Sequence, residues 1–204
     1  SDNSVTGGVI FDGTGTQTIT HSSPNNIILS STTGYVKIGL NNSPTVIITG
    51  TGAGNLLVGG DLSINNTATL DLGTQDLNRN TAGGTITVAS GATLKCGGST
   101  GGETGSNFPL NFTTKTLGAT STVIYNSLNA VNQTVYDVAS PGYGNLTITN
   151  GTGSGSTTKT AGAALDIQGN VTINALATFA GGTSLTHNVG GNWTNSGTFN
   201  YTTA

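Results

Sequence analysis

The chain has 204 residues, 33 of them glycine, and sets five Lys or Arg against eight Asp or Glu for a net charge of −3. Lys37, Arg79, Lys95, Lys115 and Lys159 make no patch able to neutralise several phosphates, which excludes nucleic acid as a partner and equally a polybasic membrane contact. A charged fraction of 6% with regularly placed Val, Ile and Leu also separates the chain from charged disordered tails.

From the N-terminus, Val9-Ile10-Phe11-Asp12-Gly13-Thr14-Gly15-Thr16-Gln17-Thr18-Ile19-Thr20 predicts a strand, a glycine turn and a second strand. The triplets Ile27-Ile28-Leu29, Val46-Ile47-Ile48 and Leu56-Leu57-Val58 predict further short strands. The stretch Gly60-Asp61-Leu62-Ser63-Ile64-Asn65-Asn66-Thr67-Ala68-Thr69-Leu70 recurs at Gly84 to Leu94 and at Gly169 to Phe179. Each copy holds a glycine, a short alternating strand, a polar turn and a new strand at Ala-Thr-Leu or Ala-Thr-Phe. Spacings of 24 (Gly60 to Gly84), 25 (Gly144 to Gly169) and 22 (Gly169 to Gly191) are those of stacked coils.

Three strands and three turns fill such a coil. The expected fold is therefore all-β: a right-handed parallel β-helix of about eight or nine coils, about 40 Å long at the spacing of paired strands. A narrow core served by Val, Ile, Leu and Thr accounts for the composition. Val123-Ile124-Tyr125-Asn126 followed by Gln133-Thr134-Val135-Tyr136 repeats the Val9 plan with two extra turn residues. The chain thus reads as one domain, 1–204, with two long units at about 9–119 and 123–204. Gly97 to Ser106 and Asn150 to Ser156 are expected to be flexible excursions. Helix signals are absent, and no apolar run approaches a bilayer span, so membrane insertion is not expected.

Chemistry is sparse. Cys96 is alone and, two residues after Leu94, shares its strand face, so a small buried hydrophobe is expected. His21 and His187 are isolated and read as surface turn residues; Asp61, Asp71 and Asp76 read as partners of turn backbone. Neither a cofactor nor a metal site is expected, and the chain is not expected to be an enzyme, since Arg79 is the only arginine and Glu103 the only glutamate. The opening Ser1-Asp2-Asn3-Ser4 has neither the basic segment nor the apolar stretch of a signal peptide. With little charge and one cysteine, an extracellular or cell-surface location is expected, with any signal peptide absent from this chain.

Val9 to Ile19, Tyr143-Gly144-Asn145-Leu146-Thr147-Ile148 and Gly190-Gly191-Asn192-Trp193-Thr194-Asn195-Ser196-Gly197-Thr198-Phe199 resemble the repeat regions of secreted and cell-surface bacterial β-solenoid proteins. The resemblance implies a parallel β-helix with a structural or adhesive role. In that family a Gly-Asn-Trp-Thr-Asn-Ser-Gly-Thr-Phe string is followed by a Val-x-Phe-Asn-Gly-Thr-Gly-x-Gln-Thr string; here the first closes the chain and the second opens it. A segment of a longer solenoid and a unit that joins its own copies both fit this order.

The second reading makes identical subunits the partners, head to tail, because no Asp, Glu, Lys or Arg lies between Asp12 and Lys37 or after Asp166 to blunt an exposed strand edge. Val5, Val9, Ile10 and Phe11 at one end and Trp193, Phe199 and Tyr201 at the other are the expected interface residues. The role expected is a structural subunit of an extracellular filament. The alternative is an adhesin or glycan-binding module, with Thr18/Thr20, Thr85/Thr87 and Thr147/Thr149 offering a flat face. Those pairs are not evenly spaced by coil.

Overall fold

A computed structural model describes residues 7–22, 24–51, 55–99, 101–127, 132–151 and 155–201. The chain winds through three faces in turn. The first three coils each supply three strands: β1 (Gly8–Phe11), β2 (Thr16–His21) and β3 (Ile27–Ile28); β4 (Tyr35–Ile38), β5 (Thr45–Gly50) and β6 (Leu56–Val58); β7 (Asp61–Ile64), β8 (Thr69–Asp71) and β9 (Leu77–Arg79). The fourth has β10 (Gly83–Val88) and β11 (Thr93–Cys96), with residues 97–111 in place of a third strand. The fifth has β12 (Phe112–Leu117), β13 (Thr122–Tyr125) and β14 (Gln133–Val135), and the sixth β15 (Asn145–Ile148) and β16 (Thr157–Ala161). The last two hold β17 (Asp166–Ile167), β18 (Val171–Ile173) and β19 (Ala177–Ala180), then β20 (Asn188–Val189), β21 (Trp193–Asn195) and β22 (Thr198–Asn200).

Every strand pairing is parallel, and residue i bonds to its equivalent one coil on. The second face is an unbroken eight-stranded sheet, β2-β5-β8-β11-β13-β15-β18-β21. The fold is thus a β-solenoid of eight passes and seven coil-to-coil steps. The first face is β1-β4-β7-β10-β12, continued by Tyr143, β17 and β20; the third is β3-β6-β9, then residues 107–111, then β14-β16-β19-β22. Alternation drives the packing: Val46, Leu70, Leu94, Val123, Leu146 and Val171 stack as one buried column inside the second face. Cys96 lies in the neighbouring column, fully buried, and burial pushes its thiol well up.

The repeated stretches reveal a shift that the sequence period alone conceals. Inward residues eight apart (Leu62 to Leu70, Ile86 to Leu94) flank a wide corner between the first and second faces. Val171 to Phe179 is also eight, yet it spans the second and third faces. The same displacement moves the short glycine corner. Gly34, Gly60 and Gly84 stack where the third face meets the first, whereas Gly144, Gly169 and Gly191 stack where the first meets the second. Approach there is so close that a Cβ on Gly60 would lie 1.9 Å from the Gly34 carbonyl oxygen, and one on Gly191 2.7 Å from that of Gly169. Between the two halves, the corner pattern therefore turns by one face.

The turn happens around residues 97–143, which hold the four largest fully buried side chains, Tyr125, Tyr143, Phe108 and Phe112. Phe108 and Tyr136 stack at 5.3 Å, and Tyr125 and Tyr143 are fully buried. Their hydroxyls close a ring: Tyr136 N–H donates to Tyr125 Oη, which lies 2.8 Å from Tyr143 Oη, which donates to the Tyr136 carbonyl. The narrow core expected from the composition holds for the regular coils and fails here. The expected flexible excursion at Gly97 to Ser106 is instead folded back: Ser106, Asn107 and Phe108 are buried, and Gly98 N–H donates to Asn107 Oδ1 at 2.8 Å. A single 3-10 turn, Glu103–Gly105, lies in it, and Lys115 reaches Glu103 at 3.0 Å. Part of the second excursion lies outside the described residues.

Lys159 occupies an inward position on the third face between Gln133 and Phe179, at 0% exposure. Its ammonium donates to Thr157 Oγ1, and among the described residues no carboxylate is within ion-pairing reach. Burial draws its pKa down to about 8 from 10.5. Between those values the unfolded chain binds the extra proton, so stability rises with pH across that window. Lys159→Met is expected to stabilise the fold at neutral pH by about 1–3 kcal/mol and to abolish the rise. Thermal melts of both proteins between pH 7 and 10.5 check it.

Candidate functional site: the open ends of the stack

Among the described residues, the eight passes leave two uncovered ends. At one, β1, β2 and β3 have strand partners on one side only; at the other, β20, β21 and β22 do. None of these six strands contains Asp, Glu, Lys or Arg. Among the described residues, inward side chains at each end have the core on one side and no strand on the other.

At the first end, Val9 and Phe11 are half-buried on Val36 and Ile38, with Ile19 and Leu29 beside them. Ile10, 40% exposed, points off the flank, in the same outward column as Lys37. Val5 lies outside the described residues. Gln17 also points inward, and its Oε1 accepts from Gly13 N–H at 3.0 Å, so its amide is partnered within its own turn.

The other end is aromatic. Trp193 rests on Val171 and stays 40% exposed; Phe199 rests on Phe179. Ring centroids lie 4.9 Å apart for Trp193 and Phe199 and 5.6 Å apart for Phe179 and Phe199. With Leu185, His187, Val189 and Tyr201, 73% exposed, they line a depression of about 450 Å³. The structure thus gathers Trp193, Phe199 and Tyr201, and sets Val9, Ile10 and Phe11 at the opposite end.

Sequence reasoning missed Phe179, Leu185, His187 and Val189 in this cluster. Phe179 carried a signal, its position eight residues after Val171. His187 is not the surface residue expected. Leu165 N–H donates to its Nδ1 at 3.1 Å, so Nε2 carries the proton and donates to the Gly181 carbonyl at 2.7 Å. His21, 2% exposed at the end of β2, is likewise a packed residue. Both imidazoles fill corners where a flat side chain packs and still meets backbone groups.

A ladder runs along the short corner. Asp61 Oδ1 accepts from Thr85 N–H at 2.8 Å, Asn145 Oδ1 from Asn170 N–H at 2.9 Å, and Asn170 Oδ1 from Asn192 N–H at 2.8 Å. Each side chain after the corner glycine holds the strand one coil further on. The last rung is Asn192.

At the Val9 end, Asp12 follows β1 and bonds the coil beneath it. Its Oδ1 accepts from the N–H groups of Leu40, Asn41 and Asn42 at 2.7–2.9 Å, and these bonds lower its pKa from 3.8 to about 2. A depressed carboxylate stabilises the fold above its unfolded pKa and ceases to as pH falls through the folded one. Amide protection at residues 40–42 is therefore expected to fall between pH 4 and pH 2, and an Asp12→Asn variant to lack that pH dependence, as NMR-detected exchange reads.

The acidic residues do not converge. Asp61 lies on the first face, Asp71 pairs with Lys95 on the second, and Asp76 bonds Asn107 at 2.8 Å on the third, where burial raises its pKa. No group of three or more metal-ligating side chains is found among the described residues.

Another feature went unseen in the sequence: Thr16, Thr45, Thr69, Thr93 and Thr122 form one outward column on the second face. Its members are 29, 24, 24 and 29 residues apart, so no fixed period exposes it. The expected pairs Thr18/Thr20, Thr85/Thr87 and Thr147/Thr149 lie on different coils and two different faces.

No helix among the described residues is long and apolar enough to cross a membrane. Comparison with protein-family models, curated proteins and solved structures gives no match.

Proposed function

We propose that this chain is a non-enzymatic structural subunit that stacks head to tail on identical copies into an extracellular filament or surface fibre. The observation that carries this reading is the pair of ends uncovered among the described residues: edge strands without a charged residue, and half-exposed Val9, Phe11, Trp193 and Phe199 over the core. Monomeric proteins blunt such edges with charge, proline or a cap. The two ends are different surfaces, so their contact is heterologous and propagates. The resemblance to secreted bacterial solenoid repeats supports the extracellular placement.

Sedimentation velocity over a range of concentrations tests the reading. A distribution that shifts to larger species with concentration supports it; a single monomeric boundary throughout overturns it.

Adhesion through the flank is a second reading, favoured by the threonine column on the second face. It places binding on the side of the rod, so substitutions at Thr69 and Thr93 would weaken retention on a polysaccharide without altering sedimentation.

A further inference from the structure

Building on the filament reading, we infer that each subunit sits on the next rotated by one face, about a third of a turn about the rod axis, so that the first face of one copy continues the second face of its neighbour.

The corners carry this inference. At the Trp193 end, the column of short-corner glycines stops at Gly191, where the first face meets the second. At the Val9 end, the equivalent column starts at Gly7, where the third face meets the first: a Cβ on Gly34 would lie 2.1 Å from the Gly7 carbonyl oxygen. Stacking without rotation sets Gly191 beneath the wide corner at residues 12–16. Rotation by one face sets Gly191 beneath Gly7 and joins the columns.

Two further matches come with the same rotation, while the eight-residue corner from Val9 to Gln17 meets the six-residue corner from Trp193 to Phe199. Asn192, the last rung of the side-chain ladder, faces Gly8 N–H of the next copy, the donor that Asn192 N–H supplies to Asn170. Trp193 meets Val9, apolar on apolar, whereas in the unrotated register it meets Gln17, which the rotated stack sets on the Phe199 side with its amide held by Gly13 N–H. A Trp buried at the centre of an interface is the kind of residue that dominates association.

Engineered disulfides separate the registers, because outward side chains on paired strands lie within cross-linking distance. Thr194 is outward on β21 and pairs with Ile10 in the rotated stack, or with Thr18 in the unrotated one. Cys96 is buried and does not compete. Under oxidation, Ile10→Cys/Thr194→Cys is expected to give a covalent ladder on denaturing gels, and Thr18→Cys/Thr194→Cys to stay at the monomer band. The reverse pattern overturns the rotation but leaves the filament. No ladder from either variant, with single particles by sedimentation, overturns both.

Discussion

Trp193→Asp is expected to abolish end-to-end growth. The indole is the largest inward group at the Trp193 end and packs on both Phe199 and Phe179. Truncating an aromatic anchor of this kind costs about 2–4 kcal/mol of association, and burying a carboxylate in its place costs more. A weakening of at least about 30-fold follows. The subunit itself keeps its fold, because Trp193 is half-exposed in the last coil and the columns beneath it end on Val171 and Phe179.

Val9→Asp should do the same at the opposite end. Polarity then makes a sharper prediction: each variant alone stays monomeric, while an equal mixture joins the intact Val9 end of one to the intact Trp193 end of the other. Sedimentation of the mixture is expected to show dimers and nothing longer. A mixture that remains monomeric, or one that polymerises, contradicts head-to-tail contact through these residues.

Gln133→Leu is expected to be the most damaging single change within the subunit. Its Nε2 donates to the carbonyls of Cys96, Gly98 and Ser106 at 2.9, 2.6 and 3.0 Å, and its Oε1 accepts from Ser127 N–H at 3.2 Å. One buried amide thus ties β11, both ends of the folded-back 97–106 segment and β14 together where the corner pattern turns. Leucine matches the size and restores none of the bonds. The Cys96 carbonyl keeps Asn126 N–H at 3.1 Å, but leaving the Gly98 and Ser106 carbonyls without the amide costs about 1–3 kcal/mol each, so a total of about 3 kcal/mol is expected. For a chain of this size that is a fall in Tm of roughly 6–12 °C. An unchanged melt would show that water or a shifted loop replaces the amide.

How much of this was legible follows from where neighbours sit in the chain. The solenoid was readable because its pairing is local in period: Leu62 meets Ile86 and Leu70 meets Leu94 at the repeat distance of the sequence. The one-face shift was not, since Gly60-Asp61-Leu62 and Gly169-Asn170-Val171 look alike and a corner motif fits any corner of a three-faced coil. Residues 97–106 resembled a loop because glycine dominates them. The burial of Gly97, Gly98 and Ser106 goes with bonds from Gln133, distant in the chain, and from Asn107 at the segment's own end. Of the end residues, Val9, Phe11, Trp193 and Phe199 were legible as apolar groups in uncharged strands, while His187 was not, since Leu165 and Gly181, which hold its ring, are 22 and 6 residues away in the chain.

Electron cryomicroscopy of the purified chain at high concentration tests the central claim most directly. Filaments with an axial rise of one subunit, about 38 Å for eight coils, are expected, with parallel sheets running through each junction. Discrete single rods, or rods associated side by side with their ends exposed, would contradict it.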